Sequence, residues 1–235
     1  SKMGSWITVP AADAGSFRAY VATPPAGRGP GLLLLQEIFG VNDTMRAHAD
    51  ELAGEGYTVF VPDLFWRIEP EIELDYSPEG WQRAFDLYGR FDQDQGVRDI
   101  AATLTAARAH PACAGKVGAL GYCLGGKLAF LTGCRTAVDC SVCYYGVGIE
   151  QNLDEIAAIR APMLMHFAAL DKFAPAEAVA LVKAAAAPRP DIEIFEYPGV
   201  DHAFARIGGD HYDEAAATLA NSRSRAFLRR ILQPT

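Results

Sequence analysis

A chain of 235 residues, half of them hydrophobic, can bury a full core, and this length suits one large domain better than two. Its 21 basic and 29 acidic side chains leave a formal charge of -8, which offers no general attraction to phosphate backbones or anionic lipid; neither nucleic acid nor membrane is an expected partner. No apolar run approaches the roughly 20 residues of a spanning helix, and SKMGSWITVP lacks the apolar centre of a signal peptide, so a cytoplasmic protein is expected.

Alternation in Trp6 to Pro10 and Phe17 to Thr23, separated by the turn-rich AADAGS, predicts an antiparallel hairpin. GLLLLQE, from Gly31 to Glu37, is the continuous apolar run of a strand buried on both faces. A helix over Thr44 to Glu55 follows, with Asp43 or Thr44 as N-cap and Gly54 and Gly56 marking its end. The next strand is Tyr57 to Pro62. From Asp63 to Asp94 prolines, aromatics and charges carry only a patchy helical period around Glu79 to Phe91, an excursion of the kind that forms lids or lines pockets. Alternation then resumes: helix Val97 to His110, strand Lys116 to Tyr122, helix Leu124 to Gly133, strand Cys140 to Tyr145, strand Met163 to Ala168, helix Ala176 to Ala187, strand Ile192 to Tyr197 and a helix from about Asp213 to Leu232. Strands alternating with helices predict an α/β fold, a mostly parallel central sheet with helices on both faces, whose ligands collect at the carboxyl ends of the strands.

At one of those ends the sequence reads KVGALGYCLGGK, from Lys116 to Lys127. Gly121-Tyr122-Cys123-Leu124-Gly125 has the form of a nucleophile elbow, with a predicted strand before it and a predicted helix after it. A nucleophile on so sharp a turn has strained dihedrals, and Gly121 and Gly125 give the strand and helix room to approach. The helix N-terminus favours thiolate over thiol at Cys123; the plainer reading is a structural cysteine beside a glycine turn. A nucleophile needs a base, and the base an orienting group. Asp171 follows the strand Met163 to Ala168, and His202 follows the strand Ile192 to Tyr197. Singly, these residues read as an N-cap or loop acid and a polar loop histidine. Together with Cys123 they stand in the chain order nucleophile, acid, histidine of the α/β-hydrolases, all at strand carboxyl ends.

The other histidines do not compete. His48 and His110 belong to helices that read as partly solvated, His166 to a core strand, and His211 lies beyond the loop near Asp210. No spaced set of ligands predicts a metal, no phosphate-binding fingerprint is present, and no cofactor is called for. Five cysteines, Cys113, Cys123, Cys134, Cys140 and Cys143, predict free thiols rather than a disulfide framework. Cys140 and Cys143 form a CxxC, but on a strand residues three apart point to opposite faces, so packing explains both better than redox or zinc chemistry.

GYCLGG, the later Asp171 and His202, QEIFGVN from Gln36 to Asn42, PDLF at Pro62, YYGVG at Tyr144 and HAFAR at His202 together resemble the dienelactone hydrolases, or carboxymethylenebutenolidases, nearly end to end. These are α/β-hydrolases that open a carboxylated unsaturated lactone in bacterial degradation of chloroaromatics. The resemblance implies a Cys123, His202, Asp171 triad. It implies that Glu37, otherwise a strand-end acid in an ion pair, accepts the proton of Cys123 when substrate arrives, and that the thiol rests neutral and protected from oxidation. It implies an oxyanion hole from the N–H groups of Leu124 and Ile38. Arg206, otherwise a surface salt-bridge residue, matches an arginine for the substrate carboxylate, and Tyr144 falls among the pocket residues. The family's second carboxylate-binding arginine aligns with Trp81, two residues before Arg83, and Phe85 stands where a tyrosine is expected. Either Arg83 substitutes from its neighbouring position or the site grips anions less firmly.

The resulting expectation is a monomeric hydrolase of a small anionic enol lactone, acting through a thioester acyl-enzyme. Two rivals are a broad carboxylesterase or cysteine peptidase on the same fold, and a noncatalytic binding or redox-sensing protein in which Cys123 is an oxidisable thiol.

Overall fold

Four leucines after Gly31 make a strand with no polar face, and the computed structural model buries all seven residues of Gly29–Leu35. The structure describes residues 4–234; the first three residues of SKMGSWITVP lie outside that range. The described chain divides into two compact units, one running to Val117 and taking Pro234, the other covering Gly118–Gln233.

In the first unit the expected hairpin is β1 (Gly4–Pro10) and β2 (Ser16–Ala22), antiparallel with Trp6 opposite Tyr20. Strand β3 (Gly29–Leu35) stops two residues before Glu37, so Gln36 and Glu37 stand beyond its carboxyl end. Helix α1 (Asp43–Gly54) begins a residue earlier than expected, because the Asn42 side chain, rather than Asp43 or Thr44, accepts the Met45 N–H and caps it. Strand β4 (Thr58–Pro62) pairs parallel with β3 and antiparallel with β2, giving the order β1-β2-β4-β3. The excursion holds helix α2 (Pro78–Arg90), capped by Ser77. Helix α3 (Gln93–Ala109) starts four residues before the expected Val97, with Asp92 as its cap. α1 packs on β2 and β4, and α3 on β1, β3 and β4. His48 is buried on α1, a helix that is otherwise partly solvated. His110 is half-buried at the end of α3, its Nδ1 accepting the Ala112 N–H.

Strand β5 (Cys113–Tyr122) carries the chain into the second unit, where β5-β6-β7-β8 lie in sequence order and parallel throughout. β6 is Ser141–Tyr144, β7 Met163–Ala168 and β8 Ile192–Tyr197. Helices α4 (Leu124–Arg135), α5 (Ala176–Ala186) and α6 (Glu214–Leu232) fall close to their expected ranges. A 3-10 helix, Ile149–Ala158, was not expected; it is two short turns joined across non-helical Asn152, too irregular to leave a period. Both cysteines of the CxxC are buried and in no disulfide, Cys140 one residue ahead of β6 and Cys143 on it. Burial pushes the Cys143 thiol well above the usual range. A packing role fits them.

Candidate active site

The elbow is built by close approach of backbone. Cys123 joins β5 to α4 with φ 61° and ψ -116°, a conformation that L residues rarely hold. A Cβ on Gly121 would meet the Gly125 carbonyl oxygen at 1.9 Å, and one on Gly126 would meet the Tyr144 carbonyl oxygen at 2.5 Å. Glycine at both positions lets β5, α4 and the end of β6 come together. The Cys123 N–H donates to the Tyr144 carbonyl at 3.0 Å, while the Cys123 carbonyl accepts from Gly126 and Lys127 as the helix begins. The amide of Leu124, the first residue of α4, is among those that have no intrahelical acceptor.

Asp171 and His202 follow β7 and β8, and both are buried. His202 Nδ1 lies 2.7 Å from Asp171 Oδ2. The other Asp171 oxygen accepts the Phe173 and Ala174 N–H groups at 2.8 and 3.3 Å, so the carboxylate is locked in its loop. With Nδ1 occupied, the remaining ring nitrogen is the one that hydrogen-bonds the Cys123 sulfur. Burial opposes charge on this ring, but the charge of the Cys123 sulfur and the bonds from Asp171 and Cys123 outweigh it, and the His202 pKa is pushed up to about 10. The rings of Tyr145 and Phe173 flank His202 at 5.1 and 5.0 Å.

The same unit holds two further expected residues. Arg206 is 7% exposed, far from the surface salt bridge that composition suggests, on a turn closed by the Arg206 N–H to Ala203 carbonyl bond. Tyr144 is buried, and its hydroxyl is bonded to Asn221 Oδ1 at 2.8 Å and Ser224 Oγ at 2.7 Å on α6. That hydroxyl is engaged with α6.

In the first unit, Glu37 is 2% exposed, and its Oε1 accepts the Tyr76 hydroxyl at 3.1 Å. Ile38 is buried beside it. The excursion is stapled to Gln36 to Asn42: the Leu74 N–H donates to the Phe39 carbonyl, Asn42 Nδ2 donates to the Leu74 carbonyl, and Phe39 packs against Tyr76 and Trp81 with ring centroids 4.4 and 4.9 Å apart. Trp81 also meets Phe85, which is 47% exposed. Arg83 pairs with Asp86 at 3.0 Å and Glu69 at 3.6 Å. Tyr76, Tyr145 and Phe173 were missed in the sequence; only Phe173, two residues after an aspartate, carried a local signal, that of an Asx turn. Among the described residues no group of three or more His, Cys, Asp or Glu is placed to hold a metal, and no helix is long and apolar enough to cross a membrane.

Comparison with known proteins decides the family. The profile of the Dienelactone hydrolase family matches residues 17–232. The chain belongs to this family. A "Putative carboxymethylenebutenolidase" of Azospirillum brasilense is 46% identical over 229 residues, covering 96% of this chain and 98% of that one. The "Carboxymethylenebutenolidase" of Pseudomonas putida is 38% identical over 223 residues, 94% of each chain. Among solved structures, the "Putative Dienelactone Hydrolase" of Klebsiella pneumoniae subsp. pneumoniae MGH 78578 superposes with TM-score 0.82 at 26% identity, over 96% of this chain and 99% of that one. The mostly parallel sheet and its helices are thus the α/β-hydrolase fold of a dienelactone hydrolase family member, and the enzyme is a hydrolase of carboxylic ester (lactone) bonds.

Proposed function

We propose that this dienelactone hydrolase family enzyme opens a carboxylated enol lactone, of the dienelactone to maleylacetate type, in aromatic or chloroaromatic degradation, with Cys123, His202 and Asp171 as its triad. The observation that carries this reading is the Asp171 to His202 bond of 2.7 Å with the same ring bonded to the sulfur at the elbow.

The Cys123 thiolate attacks the lactone carbonyl, and the Leu124 N–H stabilises the oxyanion. Collapse breaks the ring C–O bond, leaving a thioester on Cys123 and an enolate that takes the proton of the His202 imidazolium to become a ketone. The enolate leaves readily, so this step needs little acid assistance. Forming the thioester consumes the sulfur's negative charge and removes the first of the influences that raise the His202 pKa. The ring then loses its proton more easily and can serve as base for the water that cleaves the thioester.

This sequence carries a titration prediction. Alkylating Cys123 mimics the acyl-enzyme in charge, so the imidazole midpoint of His202, followed by NMR, should fall from about 10 toward the ordinary histidine range. An unmoved midpoint would mean that the sulfur's charge does not hold the ring.

Substrate choice is tested at Arg206. Arg206→Ala should lower kcat/KM on dienelactone about tenfold or more, about 1.4 kcal/mol of transition-state stabilisation, because a charge-assisted bond in a cleft is worth about 1.5 to 3 kcal/mol. A neutral ester of similar size should be affected less than about twofold. Arg83 is already paired with Asp86 and Glu69, and Arg83→Ala should be silent on both substrates. Equal losses on charged and neutral substrates for Arg206→Ala would place carboxylate recognition elsewhere and favour a broad carboxylesterase.

A further inference from the structure

The second unit holds a chain of polar groups, buried at its centre, that the proposed chemistry does not use. Arg223 Nη1 donates to the Tyr197 hydroxyl at 3.2 Å, and that hydroxyl lies 2.8 Å from His166 Nδ1. His166 Nε2 lies 2.8 Å from Ser224 Oγ, which lies 2.7 Å from the Tyr144 hydroxyl, which donates to Asn221 Oδ1 at 2.8 Å. His166, Tyr144, Tyr197 and Ser224 are all buried. The chain starts and ends on α6 and passes through β8, β7 and Tyr144, the last residue of β6.

Its protons can be assigned from the Asn221 end. A phenol has one hydrogen, and Tyr144 gives it to Asn221, so the contact between Tyr144 and Ser224 must use the Ser224 hydrogen. Ser224 Oγ then has only lone pairs for His166, which must present Nε2–H. A neutral ring with Nε2–H has a bare Nδ1, and the Tyr197 hydrogen fills it while the Tyr197 oxygen receives Arg223. Each contact in the chain then has one hydrogen. The other tautomer would leave the Ser224 and Tyr144 oxygens facing each other at 2.7 Å with no hydrogen between them. A protonated ring would turn a second N–H on the Tyr197 hydroxyl, which already receives the Arg223 guanidinium. Burial and the Arg223 charge accordingly hold the His166 pKa down to about 3.

The Tyr144–Tyr145 step connects this chain to the chemistry. The Tyr144 carbonyl accepts the Cys123 N–H at 3.0 Å, and the Tyr145 N–H donates to the His166 carbonyl at 2.7 Å. Tyr145 has φ 35°, a strained value, and its ring lies 5.1 Å from that of His202. We propose that the chain from Arg223 through Tyr197, His166 and Ser224 to Tyr144 and Asn221 is a positioning device, with His166 held as the Nε2–H tautomer, that fixes the Tyr144–Tyr145 step and through it Cys123 and His202. The chain does not reach the reacting atoms, so its members are positioning residues. Its catalytic consequence rests on the triad reading above.

Ser224→Ala breaks the chain at its centre with little change of volume, and Tyr144→Phe removes the hydroxyl that sets its direction. In nitrogen-15 labelled wild type, His166 should show the Nε2–H tautomer and no titration between about pH 5 and 9. Each variant should lower kcat about five- to tenfold with KM changed less than about twofold, and the double variant should lose no more than about the worse single one. The rate of Cys123 alkylation should fall in parallel across the pH range, a readout that needs no lactone and stands even if the substrate reading fails. An Nδ1–H or charged ring in wild type overturns the tautomer. Variants that lose thermal stability but keep wild-type kcat and alkylation rates overturn the positioning role.

Discussion

Cys123→Ala is expected to reduce kcat/KM by about 10,000-fold or more, about 5.5 kcal/mol of transition-state stabilisation, with the fold intact. The size follows from losing the covalent route altogether, since only binding and the oxyanion donors remain to act on a direct attack by water. Folding should tolerate the change because alanine carries the same Cβ, and the backbone at φ 61° is no more strained by it than by cysteine. Only one sulfur, partly buried, is removed, a loss of about 1 kcal/mol in stability. Cys123→Ser separates two mechanisms. Serine ionises far less readily than cysteine, so an enzyme built around a thiolate beside imidazolium should keep weak activity at best. Full activity in the serine variant, measured on dienelactone, would mean that His202 works as an ordinary base and that Glu37 has no special part. Wild-type rates in the alanine variant would sink the triad.

The residues in that prediction were legible in the sequence because chemistry and topology coincide there. An elbow needs small residues on either side of the nucleophile, and the Gly121 backbone does approach Gly125 too closely for a side chain. Asp171 and His202 were found through their places after β7 and β8, a property of chain order that survives without coordinates. Helix starts were less legible. Asn42 caps α1 and Asp92 caps α3, each ahead of the first apolar residue that sets a period, so pattern alone begins the helices late. Burial of single polar residues was least legible. His48 sits between two alanines on a partly solvated helix yet is buried, and the Tyr144 hydroxyl meets α6. The partners of such groups lie dozens of residues away, 77 for Tyr144 and Asn221, and no local pattern encodes them. Tyr76 and Tyr145 escaped notice for the same reason. Arg206 escaped the composition argument in the same way, since an arginine in HAFAR reads as surface and is buried.

Asp171→Asn is expected to lower kcat about 1,000-fold, about 4 kcal/mol, and to change which step is slow. In the wild type one carboxylate oxygen holds His202 Nδ1 and the other accepts the Phe173 and Ala174 amides. An asparagine has one acceptor for these two duties. If its oxygen stays with His202, its NH₂ faces two N–H donors in a buried loop, a mismatch that costs about 1 to 3 kcal/mol. If it turns over, the NH₂ points at Nδ1 and forces the hydrogen onto the nitrogen facing the sulfur, so the ring can no longer take a proton from water. Loss of the carboxylate also removes part of what raises the His202 pKa, so the imidazolium midpoint should fall below about 10. The two half-reactions should respond unequally. Attack by the sulfur on an activated ester needs only a modest fraction of thiolate, whereas cleavage of the thioester depends on His202 as base. The variant should therefore release a burst of the leaving group and then stall with the acyl group on Cys123, visible as a mass increase on the intact protein. If turnover slows with no burst and no adduct, Asp171 acts mainly on acylation, and the division of labour proposed for His202 is wrong. If kcat falls by less than about tenfold, the ring is oriented by its packing between Tyr145 and Phe173 rather than by the carboxylate.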